Sequence, residues 1–232
     1  MPDIAANLER RGFCLVPKIA TGDEISLLKA ALAHSEIARA ERHGQTYGAR
    51  NLLHLAEVRA VAAHPKILAC LQILVGSAFR TVRGLFFDKT ESANWPVPWH
   101  QDLSLAVQER QELPGWSRWT VKRGVTHVQP PSEILSRMIT MRLHLDDCPA
   151  ENGALRVIPE SHCWGVLGRD QIVTEGQRPS EIIAADAGDA LFMRPLILHA
   201  SSPARSPSHR RVLHLEFAPS DLLPKELAWA EV

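Results

Sequence analysis

The residues Ile139-Thr140-Met141-Arg142-Leu143-His144-Leu145 alternate strictly between apolar and polar. Successive side chains of an extended strand point to opposite faces, so one face here is apolar while the other carries Thr140, Arg142 and His144. Such a strand needs a hydrophobic layer on one side and a polar space on the other. Short apolar or alternating runs recur at 79–88, 154–159, 181–184, 190–193, 196–198 and 212–217. Asn152-Gly153 predicts a hairpin joining 139–145 to 154–159, and Gly188-Asp189 predicts a second turn. Many short strands broken by turn residues, with no strand-helix-strand rhythm, predict a sandwich or barrel.

Helical periodicity is confined to the first third. After a strand at 12–17, Thr21 or Asp23 caps a helix reaching about Ala40, with Ile25, Leu28, Leu32 and Ile37 on its apolar side. His64-Pro65 opens another, which runs from Lys66 to Val75 and stops at Gly76. Residues 41–61, with glycines at 44 and 48, fit neither pattern. A polar stretch at 103–136, bearing Trp116 and Trp119, is too long for a plain connection and predicts a lid within one domain spanning 1–232.

Acidic and basic residues balance at 26 each, so no net field draws nucleic acid or an anionic membrane. Cys14, Cys70, Cys148 and Cys163 are scattered without a paired spacing and predict reduced thiols in a cytoplasm. No segment approaches membrane-spanning length, and the N-terminus lacks the pattern of an export leader.

Pro98-Trp99-His100-Gln101-Asp102 carries the chemistry. In an extended segment His100 and Asp102 share a face, and His199, at the end of the 196–198 run, offers a second imidazole. Two histidines and a carboxylate on one face of a metal, with the remaining positions open, form the triad of non-haem iron(II) oxygenases. Open positions admit O2 and a bidentate oxoacid such as 2-oxoglutarate, whose far carboxylate calls for a planar two-donor cation. Arg210 follows a Ser/Pro-rich turn and could serve, with Ser201 adding a hydroxyl. By alternation Arg210 shares a face with Val212, His214 and Glu216, and Arg211 points the other way; a bulge would reverse the choice. Arg142 is a candidate contact to substrate or co-substrate, an ion pair being the plainer role. Lys89 is a weaker candidate, His144 and His214 fit hydrogen-bonded core positions, and Trp99 with Trp95, Trp116 and Trp119 could form an apolar mouth.

These pieces resemble the phytanoyl-CoA dioxygenase family of iron(II)- and 2-oxoglutarate-dependent oxygenases. Trp99-His100-Gln101-Asp102, Asn152-Gly153-Ala154-Leu155 through Pro159-Glu160-Ser161-His162, and His199-Ala200-Ser201 with Arg210 carry the likeness. It implies a double-stranded β-helix, or jelly roll, with N-terminal helices packed on one sheet. It also implies iron ligation by His100, Asp102 and His199, and co-substrate anchoring by Ser201 and Arg210. The expected activity is hydroxylation of a small molecule with release of succinate and carbon dioxide; a carboxylate at Asp102 occupies the position that halogenating relatives leave for chloride. Glu160 stands where the family has glycine. Competing expectations are a zinc hydrolase built on the same three ligands and a non-catalytic jelly-roll binding protein.

Overall fold

The computed structural model describes residues 3–34, 39–42, 45–76, 78–205 and 209–232. Its first strands are β1 (Phe13–Val16), β2 (Arg39–Arg42), β3 (Gln45–Arg50), β4 (Phe79–Lys89), β5 (Val97–His100), β6 (Leu105–Val107), β7 (Ser117–Lys122) and β8 (Val125–Gln129). There follow β9 (Ile139–His144), β10 (Leu155–Val157), β11 (Glu181–Ile183), β12 (Ala190–Met193), β13 (His199–Ser201) and β14 (Arg210–Pro219). Helices are α1 (Ile4–Arg10), α2 (Gly22–His34), α3 (Ala56–Ala62), α4 (Pro65–Val75), α5 (Ser132–Ser136) and α6 (Arg169–Glu175).

Two antiparallel sheets make a jelly roll. The larger orders its strands β1-β12-β9-β14-β4-β3-β2, the smaller β11-β10-β13-β5. The alternation of β9 decides which face meets what. Ile139, Met141 and Leu143 join Leu213, Leu215 and Phe217 of β14 on the outer face, where Leu8, Ile25, Leu28, Val58, Ile67 and Leu71 from α1 to α4 complete the core. Each such leucine or isoleucine contributes about 1.5–3 kcal/mol by leaving water. The helices start where their sequences allow. Thr21 and Glu24 exchange hydrogen bonds across the first turn of α2, and Pro65 opens α4. Among the described residues, no single helix is long and apolar enough to cross a membrane.

Register assigns the inner face of the large sheet. Arg210 lies opposite Lys89, Val212 between Phe87 and His144, His214 between Leu85 and Arg142, and Glu216 between Arg83 and Thr140. Directly opposed residues share a face, so the interior carries a succession of charged and polar rows. Its apolar part is formed by Phe13, Leu155, Val157, Ile183, Leu191 and Met193.

Four expectations are corrected. The first helix ends at His34, and the chain becomes strand again at Arg39; Ile37 lies outside the described residues. Residues 41–61 supply β3 and most of α3; Gly48 pairs with Phe87 inside the β3–β4 ladder, and Gly44 lies outside the described residues. β9 and β10 are not a hairpin: β9 belongs to the large sheet and β10 to the small one. At the crossing Gly153 has φ 66°, and a Cβ on it would sit 2.5 Å from the carbonyl oxygen of Ser202. Finally, 196–198 is a turn, with the Ile197 N–H donating to Arg194 O. Its side chains are buried between elements, so apolarity there reports burial and not a strand.

The stretch 103–136 folds as a third sheet, β6-β8-β7, followed by α5. Leu105, Val107 and Val128 pack it on Val82, Leu196 and Trp229. The C-terminal tail ties it down: Ala230 N–H donates to Ala106 O, Gln108 N–H to Ala228 O, and Gly84 N–H to Val232 O.

Glu160 carries φ 67° in the turn before Ser161, a conformation in which its Cβ meets the neighbouring carbonyl. Glu160→Gly is therefore expected to stabilise the fold by about 1 kcal/mol, read as a rise in urea midpoint with unchanged slope.

Candidate metal centre

His100 ends β5, His199 opens β13, and the register sets the two residues directly opposite one another in the small sheet. Their ring centroids are 4.1 Å apart. Asp102 follows in the loop, its backbone N–H donating to Pro195 O at 2.9 Å. His100 Nε2 lies 3.8 Å from Asp102 Oδ1, and His199 Nε2 lies 3.8 Å from Asp102 Oδ2. One ligand atom from each of the three residues falls within 4.8 Å of the others.

Both imidazoles are held in the tautomer a metal needs. His100 Nδ1 meets Pro98 O and His199 Nδ1 meets Ile197 O, each at 2.9 Å. A carbonyl only accepts, so each Nδ1 carries the proton and each Nε2 turns a lone pair toward Asp102. Burial, with His100 close by, pushes the His199 imidazole down to about 3 and keeps it neutral. Burial opposes ionisation of Asp102, yet His199, His214, His100 and Arg83 hold its carboxyl well below the usual range. Asp102 Oδ2 is buried without a hydrogen-bond partner. Two imidazoles that turn Nε2 toward one carboxylate with an unsatisfied oxygen fit a divalent cation.

Gln101 points away from this centre and is buried. Its amide donates to Gly165 O at 2.8 Å and to Leu196 O at 2.7 Å, and its carbonyl accepts from Leu167 N–H at 2.9 Å. Three bonds on one side chain thus fix the loop between His100 and Asp102. Trp99 also points away from His100. It packs on Ile158, Leu167 and Leu198 below α6, so the expected role as a substrate-facing residue is corrected. Trp116 and Trp119 pack in the core beneath the third sheet, and Trp95 lies 5.4 Å from the Lys89 ammonium.

A group of cations faces the interior. Lys89 is 1% exposed, and its Nζ donates to Ser201 Oγ at 2.9 Å and to Ser202 O at 3.1 Å. Burial, then Arg210 and Arg142, push this ammonium down to about 7. Arg210, opposite Lys89, donates to Gly153 O and leaves its Nε unpartnered. Arg211 lies on the outer face in a two-pronged pair with Asp146, which also holds Lys29. Arg210 is thus the inward residue of the two.

Arg142 Nη1 donates to His214 Nδ1 at 3.3 Å; His214 Nε2–H in turn faces Glu216 Oε1 at 3.3 Å, and Glu216 pairs with Arg83. Among the described residues Arg142 pairs with no carboxylate, and its Nε is unpartnered. Burial, reinforced by Arg210, lowers its guanidinium to about 10. His144, 3% exposed, has no partner on either ring nitrogen, and burial beside Arg142 and Arg210 lowers it to about 3. Arg83 and Glu216 were absent from the candidates read in the sequence. The same two-residue period that selects Arg210 and Arg142 would have found both.

The family model for phytanoyl-CoA dioxygenase, PhyH, matches residues 8–212. No curated protein sequence is significantly similar to the chain. Solved structures share the fold at low identity. The epimerase SnoN of nogalamycin biosynthesis, in complex with Fe3+, α-ketoglutarate and nogalamycin RO, is 20% identical; the match covers 93% of this chain and 82% of that one, with a TM-score of 0.67. HygX from Streptomyces hygroscopicus, with nickel, 2-oxoglutarate and hygromycin B bound, is 16% identical over 95% of this chain and 88% of its own, with a TM-score of 0.68. AviO1 from Streptomyces viridochromogenes is 21% identical over 97% and 98%, with a TM-score of 0.67.

Replacing Gln101 by Leu strands three buried polar groups around the ligand loop. Gln101→Leu is expected to destabilise the protein by about 3 kcal/mol or more and to weaken ferrous binding about tenfold, measured by denaturant unfolding and anaerobic metal titration.

Proposed function

Since the chain belongs to the phytanoyl-CoA dioxygenase family, a class of non-haem iron enzymes dependent on 2-oxoglutarate, we propose that it is a dioxygenase that hydroxylates a small molecule. His100, Asp102 and His199 hold the ferrous ion, and Arg210, Ser201 and Lys89 hold the far carboxylate of 2-oxoglutarate. The observation that carries the proposal is the pairing of two pre-oriented imidazoles and a buried carboxylate with the interior cations Lys89, Arg142 and Arg210, which form no ion pair with an acid among the described residues.

When bound, the iron and the oxoacid supply oxygen activation, with the oxoacid released as succinate and carbon dioxide. The chain's own work is positional. The backbone carbonyls of Pro98 and Ile197 aim the imidazoles, and Gln101 fixes the loop that carries Asp102. Arg210 offers a planar guanidinium suited to a carboxylate, flanked by the Lys89 ammonium and the Ser201 hydroxyl. The sheet β6-β8-β7 packs Leu105, Val107 and Val128 against Val82, Leu196 and Trp229. Members of this fold named as an epimerase and a carbocyclase also work with α-ketoglutarate; the carboxylate at Asp102 favours hydroxylation over halogenation. The titles of SnoN and HygX name small molecules, and a small-molecule substrate is proposed here as well. Four free cysteines fit a reducing cytoplasm.

Asp102→Ala is expected to abolish succinate formation and the oxygen uptake coupled to it, both followed in wild type and variant reconstituted with iron(II). Hydrolytic turnover with zinc, and no oxygen consumption with iron, would instead identify a zinc hydrolase.

Lys89 sets a pH dependence. In the free protein it titrates at about 7, and a dianion beside it raises that value, so binding takes up a proton above pH 7. The apparent Kd for 2-oxoglutarate, measured anaerobically, should rise by up to about tenfold per pH unit above 7. Lys89→Met should flatten the profile; an unchanged slope would remove Lys89 from the site.

A further inference from the structure

We infer that the primary substrate carries a negatively charged group, of the carboxylate or phosphate class, and that Arg142 receives it. This inference rests on the function proposed above and extends it to the substrate of the same site.

The charges of the interior carry the argument. Along the inward-facing strand positions, among the described residues, Glu216 is the carboxylate facing Arg142's row, and Asp102 joins it from the loop after β5. Glu216 is already committed to Arg83 and to His214 Nε2. A ferrous ion, Asp102, a 2-oxoglutarate dianion and Arg210 together sum to zero. The Lys89 ammonium, protonated beside the dianion, brings that sum to one positive charge. Arg142 adds a second, because a guanidinium stays protonated throughout the physiological range. The Arg142 charge, 8% exposed, is left without a counter-charge among the described residues, and an uncompensated ion in a low-dielectric interior is strongly unfavourable.

Geometry says where the missing anion goes. Arg142 stands one row from the Phe87-Val212-His144 row and two rows from Lys89 and Arg210, and the Asp102 carboxylate acts on it. His214 holds one nitrogen, and the chain Arg142-His214-Glu216-Arg83 fixes the plane of the guanidinium while leaving its Nε unpartnered and buried. Arg83 reaches Ser104, two residues past Asp102, at 3.4 Å. Arg50 pairs in register with Leu85 on the inner face, and Arg83 and Arg50 act on both Lys122 and His127 of the third sheet, so the field in this part of the interior favours an anion.

The experiment uses the full chain with iron(II) and 2-oxoglutarate under argon, following the visible charge-transfer band of the complex. Matched probes are added: cinnamate against cinnamamide, and benzyl phosphate against benzyl alcohol. The charged member of at least one pair should perturb the band with an apparent Kd about thirtyfold or more below that of its neutral partner. Arg142→Met should keep the band and lose the preference, and Arg142→Lys should keep part of it. Equal effects of charged and neutral members in the wild type would overturn the inference. So would a preference that survives in Arg142→Met, or loss of the 2-oxoglutarate band in that variant, which would assign Arg142 to the co-substrate. Absence of the band in the wild type would overturn the proposed function, and this inference with it.

Discussion

A guanidinium removed from water has to meet an acid, and the interior of this jelly roll holds more guanidinium and ammonium groups than acids to meet them. Lys89, Arg142 and Arg210 all project from the large sheet into the space between the sheets. The protein tolerates them because the outer face of that sheet, sealed by α1 to α4, supplies the hydrophobic stabilisation. The interior is thereby released from the task of being a core. Its apolar part is confined to the side lined by Phe13, Leu155, Val157, Leu191 and Met193.

The two sheets divide the work. The small sheet brings two imidazoles face to face through strand register, and the loop after β5 adds a carboxylate under the control of Gln101. The large sheet supplies cations at two levels. Lys89 and Arg210 stand beside Ser201, two residues along β13 from His199, whereas Arg142 stands nearer Asp102. Side chains on opposed β-strands are spaced by the pleat itself, so the separation between a metal and the far end of a short diacid is built into the backbone. A loop-built site would need far more ordering on binding.

Much of this was legible in the sequence because period-two alternation survives in β9 and β14. It separated Arg210 from Arg211, and the structure has Arg211 outside on Asp146 and Arg210 inside. The same rule separates Trp99 from His100, and Trp99 packs under α6, away from the site. Elsewhere the local signal fails for physical reasons. β7 is exposed on nearly every residue, so the short alternation of Trp119 and Val121 with polar neighbours marks no buried face, and Gly48 in β3 lies so close to Phe86 O that no side chain fits, so glycine there marks close strand approach and not a break. Leu196 to Leu198 read as a strand because they are buried, but the backbone turns, and the Leu198 N–H is taken by Ser161 Oγ. The crossing from β9 to β10 depends on contacts between sheets that no short window contains.

The most direct measurement is a crystal structure with manganese(II) and the unreactive analogue N-oxalylglycine. One metal should bond to His100 Nε2, Asp102 and His199 Nε2, with the analogue's far carboxylate on Arg210, Ser201 and Lys89 and the Arg142 Nε still free to meet a further ligand. A metal bound elsewhere, or an analogue whose far carboxylate lies away from Arg210, would contradict the site as described.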